Sequence, residues 1–328
     1  MYCQYCGVKL PDEARECDIC GQPAAKRGRG AAVAVIALAF IILMVGITWS
    51  QQGPAGANAA PAAITPQEIA ALQAQVNPAE GYQLPAVPGD LGPRLLALGA
   101  IDYDRFVQLY ERSGRPLNDA QLTILTEGSD EPLVINRENA HFLLNLFWAA
   151  GLANQNPILT EGAMVQYGAG EVGRFASTGG WTLGQRPAME LYASRPLIFL
   201  TREQQALLER VAANVYRPCC NNPAAFPDCN HGMAMLGLLE LMAAQGATED
   251  EMYEAAKYIN AFWFPQQALE TAIFFQADQN LAYADVDGRL ATGPEFFSAT
   301  GFQKTYQWLA ANGKLPQTPN GNNSCSVS

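Results

Sequence analysis

Eight cysteines and two histidines are the side chains of this 328-residue chain best suited to metal or thiol chemistry, and all but His141 and Cys325 fall in two clusters. In the first cluster, Cys3-x2-Cys6 and Cys17-x2-Cys20 are separated by ten residues. Each Cys-x2-Cys turn brings two sulfurs to one ion, and four thiolates at about 2.3 Å in a tetrahedron suit Zn²⁺. Gly7 and Gly21 follow the second cysteine of each pair, where the knuckle needs an unhindered backbone. All four ligand positions are thiols, so the expected zinc is structural and leaves no open catalytic position. A segment this short cannot bury a core, so metal binding supplies its folding energy. Disulfides are the alternative, and a reducing cytoplasm argues against them.

The second cluster lies far along the chain. Arg217-Pro218-Cys219-Cys220 precedes Cys229-Asn230-His231 by eight residues, and Met233 and Met235 follow. Pro223 and Pro227 shape the loop between. Asp228 is placed to cap the next helix, which puts Cys229 in its first turn, where free N–H groups and the helix dipole favour a thiolate. Three chemistries are open. A soft-metal site would use Cys219 or Cys220 with Cys229 and His231, and His141 or Cys325 would complete the set; such ligands suit zinc or copper. A thiol-dependent oxidoreductase would use Cys229 as nucleophile and a neighbouring cysteine to resolve. A disulfide-stapled interaction domain would pair Cys219, Cys220, Cys229 and Cys325 in an oxidising compartment. His231, two residues from Cys229, favours the metal. Covalent haem is excluded, because Cys-x-x-Cys-His is absent.

Other signals are weaker. His141 and Asn145 share a helix face and read as a hydrogen-bonded core pair. Glu240 sits in an apolar run, either as its one wet position or as a site carboxylate. Gly168-x-Gly170-x-x-Gly173 has dinucleotide-binding spacing, but Gly179-Gly180 follows where a helix is required, so no nucleotide partner is expected. Asp285-Val286-Asp287-Gly288 resembles part of a calcium loop but lacks the first acid and the final Glu.

The elements that position the two clusters are set by one stretch. Ala31–Trp49 is nineteen residues without a charge, long enough as a helix to cover roughly 28 Å of hydrocarbon. Lys26, Arg27 and Arg29 precede it, and no charge follows until Glu68, which places the N-terminus in the cytoplasm and the C-terminus outside. A cleaved signal peptide, with Ala57-Asn58-Ala59 as its site, fits less well, because the apolar region is too long and a metal module precedes it. The head, through Met1-Tyr2-Cys3, Cys6-Gly7, Leu10-Pro11-Asp12, Ala14 and Cys17-x2-Cys20-Gly21, resembles the short N-terminal zinc-ribbon family found ahead of membrane spans in bacterial and archaeal proteins. That resemblance covers about 21 residues and implies a structural ribbon that docks a cytoplasmic protein partner.

Net charge is −11. Residues 1–30 carry five Lys/Arg against four Asp/Glu, hence +1, and the remainder carries −12. An acidic outer domain disfavours nucleic acid and anionic lipid as partners. The expected organisation is a zinc ribbon (1–25), one transmembrane helix (31–50), a flexible Ala/Gly/Pro spacer (51–64), a mainly α-helical external domain (65–315) and a loose tail (316–328). Within the domain, Thr65, Thr201 and Thr248 each open a helix with a capping box. Gln121–Asn136 reads as the one small β-hairpin, Asn136 as the cap of a central apolar helix to about Leu152, and Pro294–Ala311 as the last helix.

Overall fold

The structure is a computed structural model that describes residues 63–316, all within the compact unit Asn58–Ser328. The ribbon cysteines Cys3, Cys6, Cys17 and Cys20, the apolar stretch Ala31–Trp49, most of the spacer, and Cys325 lie outside the described residues. Among the described residues no helix is long and apolar enough to cross a membrane.

The unit is mainly α. Its helices of eight or more residues are α1 (Pro66–Val76), α2 (Leu91–Leu98), α3 (Tyr103–Arg112), α4 (Asp119–Thr126), α5 (Ala140–Ala153), α6 (Arg202–Ala212), α7 (Asn230–Ala244), α8 (Glu249–Trp263), α9 (Pro265–Gln279) and α10 (Ala299–Ala311). The three threonine capping boxes form as read: Thr65 with Glu68, Thr201 with Gln204, and Thr248 with Glu251. Each ties two otherwise orphaned N–H groups and is worth about 1 kcal/mol to its helix start.

The expected hairpin over 121–136 does not form. Asn118 and Gln121 make a fourth capping box and start α4 where the first strand was expected. The run Leu122, Ile124, Leu125 serves a helical face, and only Leu125 is fully buried. The second half does extend, but β2 (Val134–Ile135) pairs antiparallel with β1 (Tyr82–Gln83), fifty residues upstream. Leu84 and Leu133 N–H groups continue the ladder to Leu133 and Ala86 carbonyls. Asn136 also differs from expectation. Its Oδ1 accepts from the Glu138 and Asn139 N–H groups in a turn, and Asn139 is the cap residue of α5. The last helix divides at Ser298, whose hydroxyl caps α10 behind a separate turn, Pro294–Phe297.

Two helices form the centre. α5 buries twelve of its fourteen residues and α7 thirteen of its fifteen, so neither shows a polar stripe. They touch backbone to backbone at Gly151 and Gly237. A Cβ on Gly151 would stand 2.2 Å from the Met233 carbonyl, and one on Gly237 2.4 Å from that of Phe147. Only hydrogen at both positions permits this approach. A shell of α2, α6 and α8 completes this core, while α1, α9 and α10 share a second one around Val76, Ala261, Ala268 and Leu309.

Candidate metal centre

The 217–231 segment lies where α6 has ended and α7 begins. α6 stops at Ala212, five residues before Arg217, and the chain turns back on itself: Ala224 N–H donates to the Val215 carbonyl and Ala225 N–H to that of Ala212. The loop is pinned to its surroundings. Asn260 donates to the Tyr216 carbonyl, Ala299 N–H to that of Cys220, and Thr300 N–H to Asn221 Oδ1.

Cys229, not Asp228, caps α7. Its Sγ accepts the Gly232 N–H at 3.4 Å and, from the other side, Arg217 Nε–H at 3.1 Å. Asp228 is drawn away because its carboxylate takes Arg217 Nη2 at 2.6 Å and Asn222 Nδ2 at 2.8 Å. Arg217 is 2% exposed and spends its remaining donors on the Asn222 and Phe226 carbonyls. The guanidinium lies flat over Gly232, where a Cβ would meet Cζ at 2.5 Å. A buried cation making four hydrogen bonds is thus built beside the sulfurs.

Around this base the other ligands gather. Cys219 Sγ lies 3.8 Å from Cys229 Sγ at the solvent edge. His231 is buried, its ring 4.5 Å from that of Phe264 and 5.9 Å from that of Trp263. One ligand atom from each of Cys219, Cys229 and His231 falls within 4.8 Å of the other two, so the domain holds a cluster able to bind a metal. Cys220, Asp228 and Cys229 form a second group of the same size. That group is already occupied by the Arg217 guanidinium, which bonds both Asp228 and Cys229.

The cluster's electrostatics separate the three sulfurs. Hydrogen bonds from Cys219 and Cys220 hold the Cys229 thiol well below its usual range, against burial, with Arg217 and His231 adding to the effect. Contacts with Cys220 and with Cys229 push Cys219 upward, helped by burial. Cys220 rises to about 11: its contact with Cys219 lowers it, but Cys229 and burial outweigh that. Burial raises Asp228, and Arg217 opposes it. Cys229 is the sulfur that gives up its proton first.

The remaining candidates fall elsewhere. His141 is not in either group; its Nε2 is 3.4 Å from Asn145 Nδ2 and its ring packs on Tyr110, whose hydroxyl Asn145 also reaches at 2.8 Å. The core reading of that pair is what forms, and burial, with Arg115 and His231 nearby, lowers the His141 pKa. Glu240 is fully buried with neither oxygen hydrogen-bonded, so it is not a wet position. Met233 and Met235 are core residues. The 285–288 loop has its own cation: Lys257 Nζ reaches the Val286 carbonyl at 2.9 Å and those of Tyr283 and Ala284 at 3.4 Å. Gly168–Gly173 spans the end of one short helical turn and the start of another, with no helix of dinucleotide-binding length after it.

Arg217 and Gly232 are the functional residues that the spacing alone does not reveal. An arginine before proline reads as a helix end, and the glycine as a neutral helix position. No family model, curated protein or solved structure matches the chain.

Proposed function

We propose that this is a membrane-anchored metalloprotein whose external helical domain binds a thiophilic divalent cation through Cys219, Cys229 and His231. The carrying observation is the 3.8 Å separation of the Cys219 and Cys229 sulfurs with the imidazole in reach. Two thiolates on a tetrahedral ion at about 2.3 Å stand roughly 3.8 Å apart. Charge supports the same assignment. A dication with two thiolates, above the Arg217–Asp228 pair, sums to zero; a monovalent ion would leave a buried negative charge. Zinc therefore fits better than Cu(I). Cys220 lies outside the Cys219, Cys229 and His231 grouping, which leaves a fourth position open to solvent or to an exogenous ligand.

The cytoplasmic ribbon would hold a structural zinc through Cys3, Cys6, Cys17 and Cys20, with Ala31–Trp49 as the single span and the acidic domain outside. The ribbon is the surface offered to a cytoplasmic protein. Thiol-dependent oxidoreduction by Cys229 is the second reading, favoured by the two donors on its sulfur, Arg217 Nε and Gly232 N.

Metal analysis of the full chain in detergent tests the proposal. Two zinc equivalents per chain are expected. Cys229→Ser or His231→Ala should each leave one, and Cys3→Ser should remove the other. Retention of two equivalents by His231→Ala would refute the external site, and a metal-free external domain with readily cycled thiols would favour the second reading.

A further inference from the structure

The position of Cys219 assigns a regulation to this site. We propose that the centre is redox-gated: a small extracytoplasmic disulfide converts Cys219 and Cys229 into an intrachain disulfide and so expels the metal. The inference rests on the metal-binding reading above.

Three observations carry it. First, the two ligand sulfurs are 3.8 Å apart, so bonding requires an approach of about 1.8 Å to the disulfide length of roughly 2.05 Å. Second, the partners differ in access. Cys219 is exposed at the loop's edge, whereas Cys229 is fixed as the cap of α7 and covered by Arg217. An incoming disulfide meets Cys219 first, and the loop residue makes the approach. Third, both end states are balanced over the buried Arg217–Asp228 pair. With metal, the dication cancels two thiolates; oxidised, the disulfide is neutral and needs no ion. Both states draw on the same pair of sulfurs, so metal and disulfide replace one another.

The chemistry closes without a further reactant. Cys219 Sγ, kept deprotonated by the bound ion, attacks one sulfur of the small disulfide, forming a mixed disulfide and releasing the first small thiolate. Cys229 Sγ then attacks Cys219 Sγ, forming the intrachain bond and displacing the second. Two electrons pass from the protein sulfurs to the small disulfide. The metal, left with His231 alone, departs as the hydrated dication. Cys220 Sγ lies against the Asn222 carbonyl at 3.8 Å and also contacts Cys229, so it is the competing partner for that sulfur.

The test uses the zinc-loaded full chain in detergent, titrated with oxidised glutathione, with zinc release read by a colorimetric chelator and the crosslink by mass spectrometry of alkylated peptides. A peptide joining Cys219 to Cys229 should appear in step with loss of one zinc equivalent, and dithiothreitol with zinc should restore both. Cys220→Ser should still form the Cys219-to-Cys229 peptide, and that peptide should be lost in Cys219→Ser. A crosslink through Cys220 instead, no crosslink, or zinc kept by the crosslinked chain would overturn the gate while leaving the metal site standing. A chain whose external site holds no zinc before oxidant is added overturns both.

Discussion

At the scale of single residues, the centre depends on a guanidinium as much as on its sulfurs. Arg217 bonds Cys229, Asp228 and two carbonyls, and it can lie where it does only because Gly232 has no side chain. Gly232→Ala should push the guanidinium off the Cys229 sulfur. Helix propensity alone would favour alanine by about 1 kcal/mol, so lower stability in the variant would mark the lost arginine contacts. Zinc affinity should fall by at least about tenfold, and reactivity of Cys229 toward an alkylating reagent should shift to higher pH. Unchanged affinity would show that Arg217 is not part of the centre. Glu240 gives a prediction independent of the metal. Burial raises its pKa well above the usual carboxylate value, with Asn154 opposing. The folded chain therefore keeps a proton that the unfolded chain loses, and stability falls as pH rises from about 4.3 toward the folded-state pKa. Glu240→Gln should remove that slope, melting above the parent at pH 8 and level with it near pH 4. Each unit of upward shift corresponds to about 1.4 kcal/mol. The Cys219, Cys229 and His231 grouping is legible in the sequence, because two cysteines and a histidine either side of a proline-rich loop have few ways to fold. Arg217, by contrast, is legible only once the loop has closed over it.

At the scale of elements, the capping boxes are legible because each is four consecutive residues whose side chains satisfy their own backbone. Pairings between distant segments are not. β2 looks like half of a local hairpin, and its partner Tyr82–Gln83 lies beyond three intervening helices that no local pattern joins to it. The α5–α7 crossing is of the same kind: Gly151 and Gly237 are helix-weakening residues until the two helices are brought together. That crossing also bears on the proposed metal site, because α7 carries Cys229 at its cap and His231 in its first turn. Gly237→Ala places a methyl 2.4 Å from the Phe147 carbonyl and must part the helices. We expect a loss of about 1–3 kcal/mol in unfolding free energy, measured by denaturant titration, together with weaker zinc binding. Gly246→Ala is the control. Its positive φ costs backbone strain beyond the end of α7 without touching α5, so it should lower stability yet spare zinc affinity.

At the scale of the whole molecule, the two sulfur clusters make opposite demands on their surroundings. A four-cysteine ribbon needs reduced thiols to take up zinc, and a gate that exchanges metal for a disulfide needs an oxidising medium. One chain meets both only if something between residues 21 and 219 separates the media. Ala31–Trp49, with Lys26, Arg27 and Arg29 before it and no charge after it until Glu68, is the segment with the composition to do so. The charge distribution suits that proposal: the head carries +1, and the −12 of the remainder would disfavour anionic lipid as a partner of the helical domain. Alkaline phosphatase fused after residue 60, active only when exported, should therefore be active, and a cytoplasm-dependent reporter at the same junction should be silent. In intact cells, a membrane-impermeant maleimide should label Cys219 after mild reduction and leave Cys3, Cys6, Cys17 and Cys20 unlabelled until the cells are lysed. Labelling of both groups before lysis would put all eight sulfurs in one medium. The ribbon's zinc and the external gate would then no longer be assignable to the same protein at the same time.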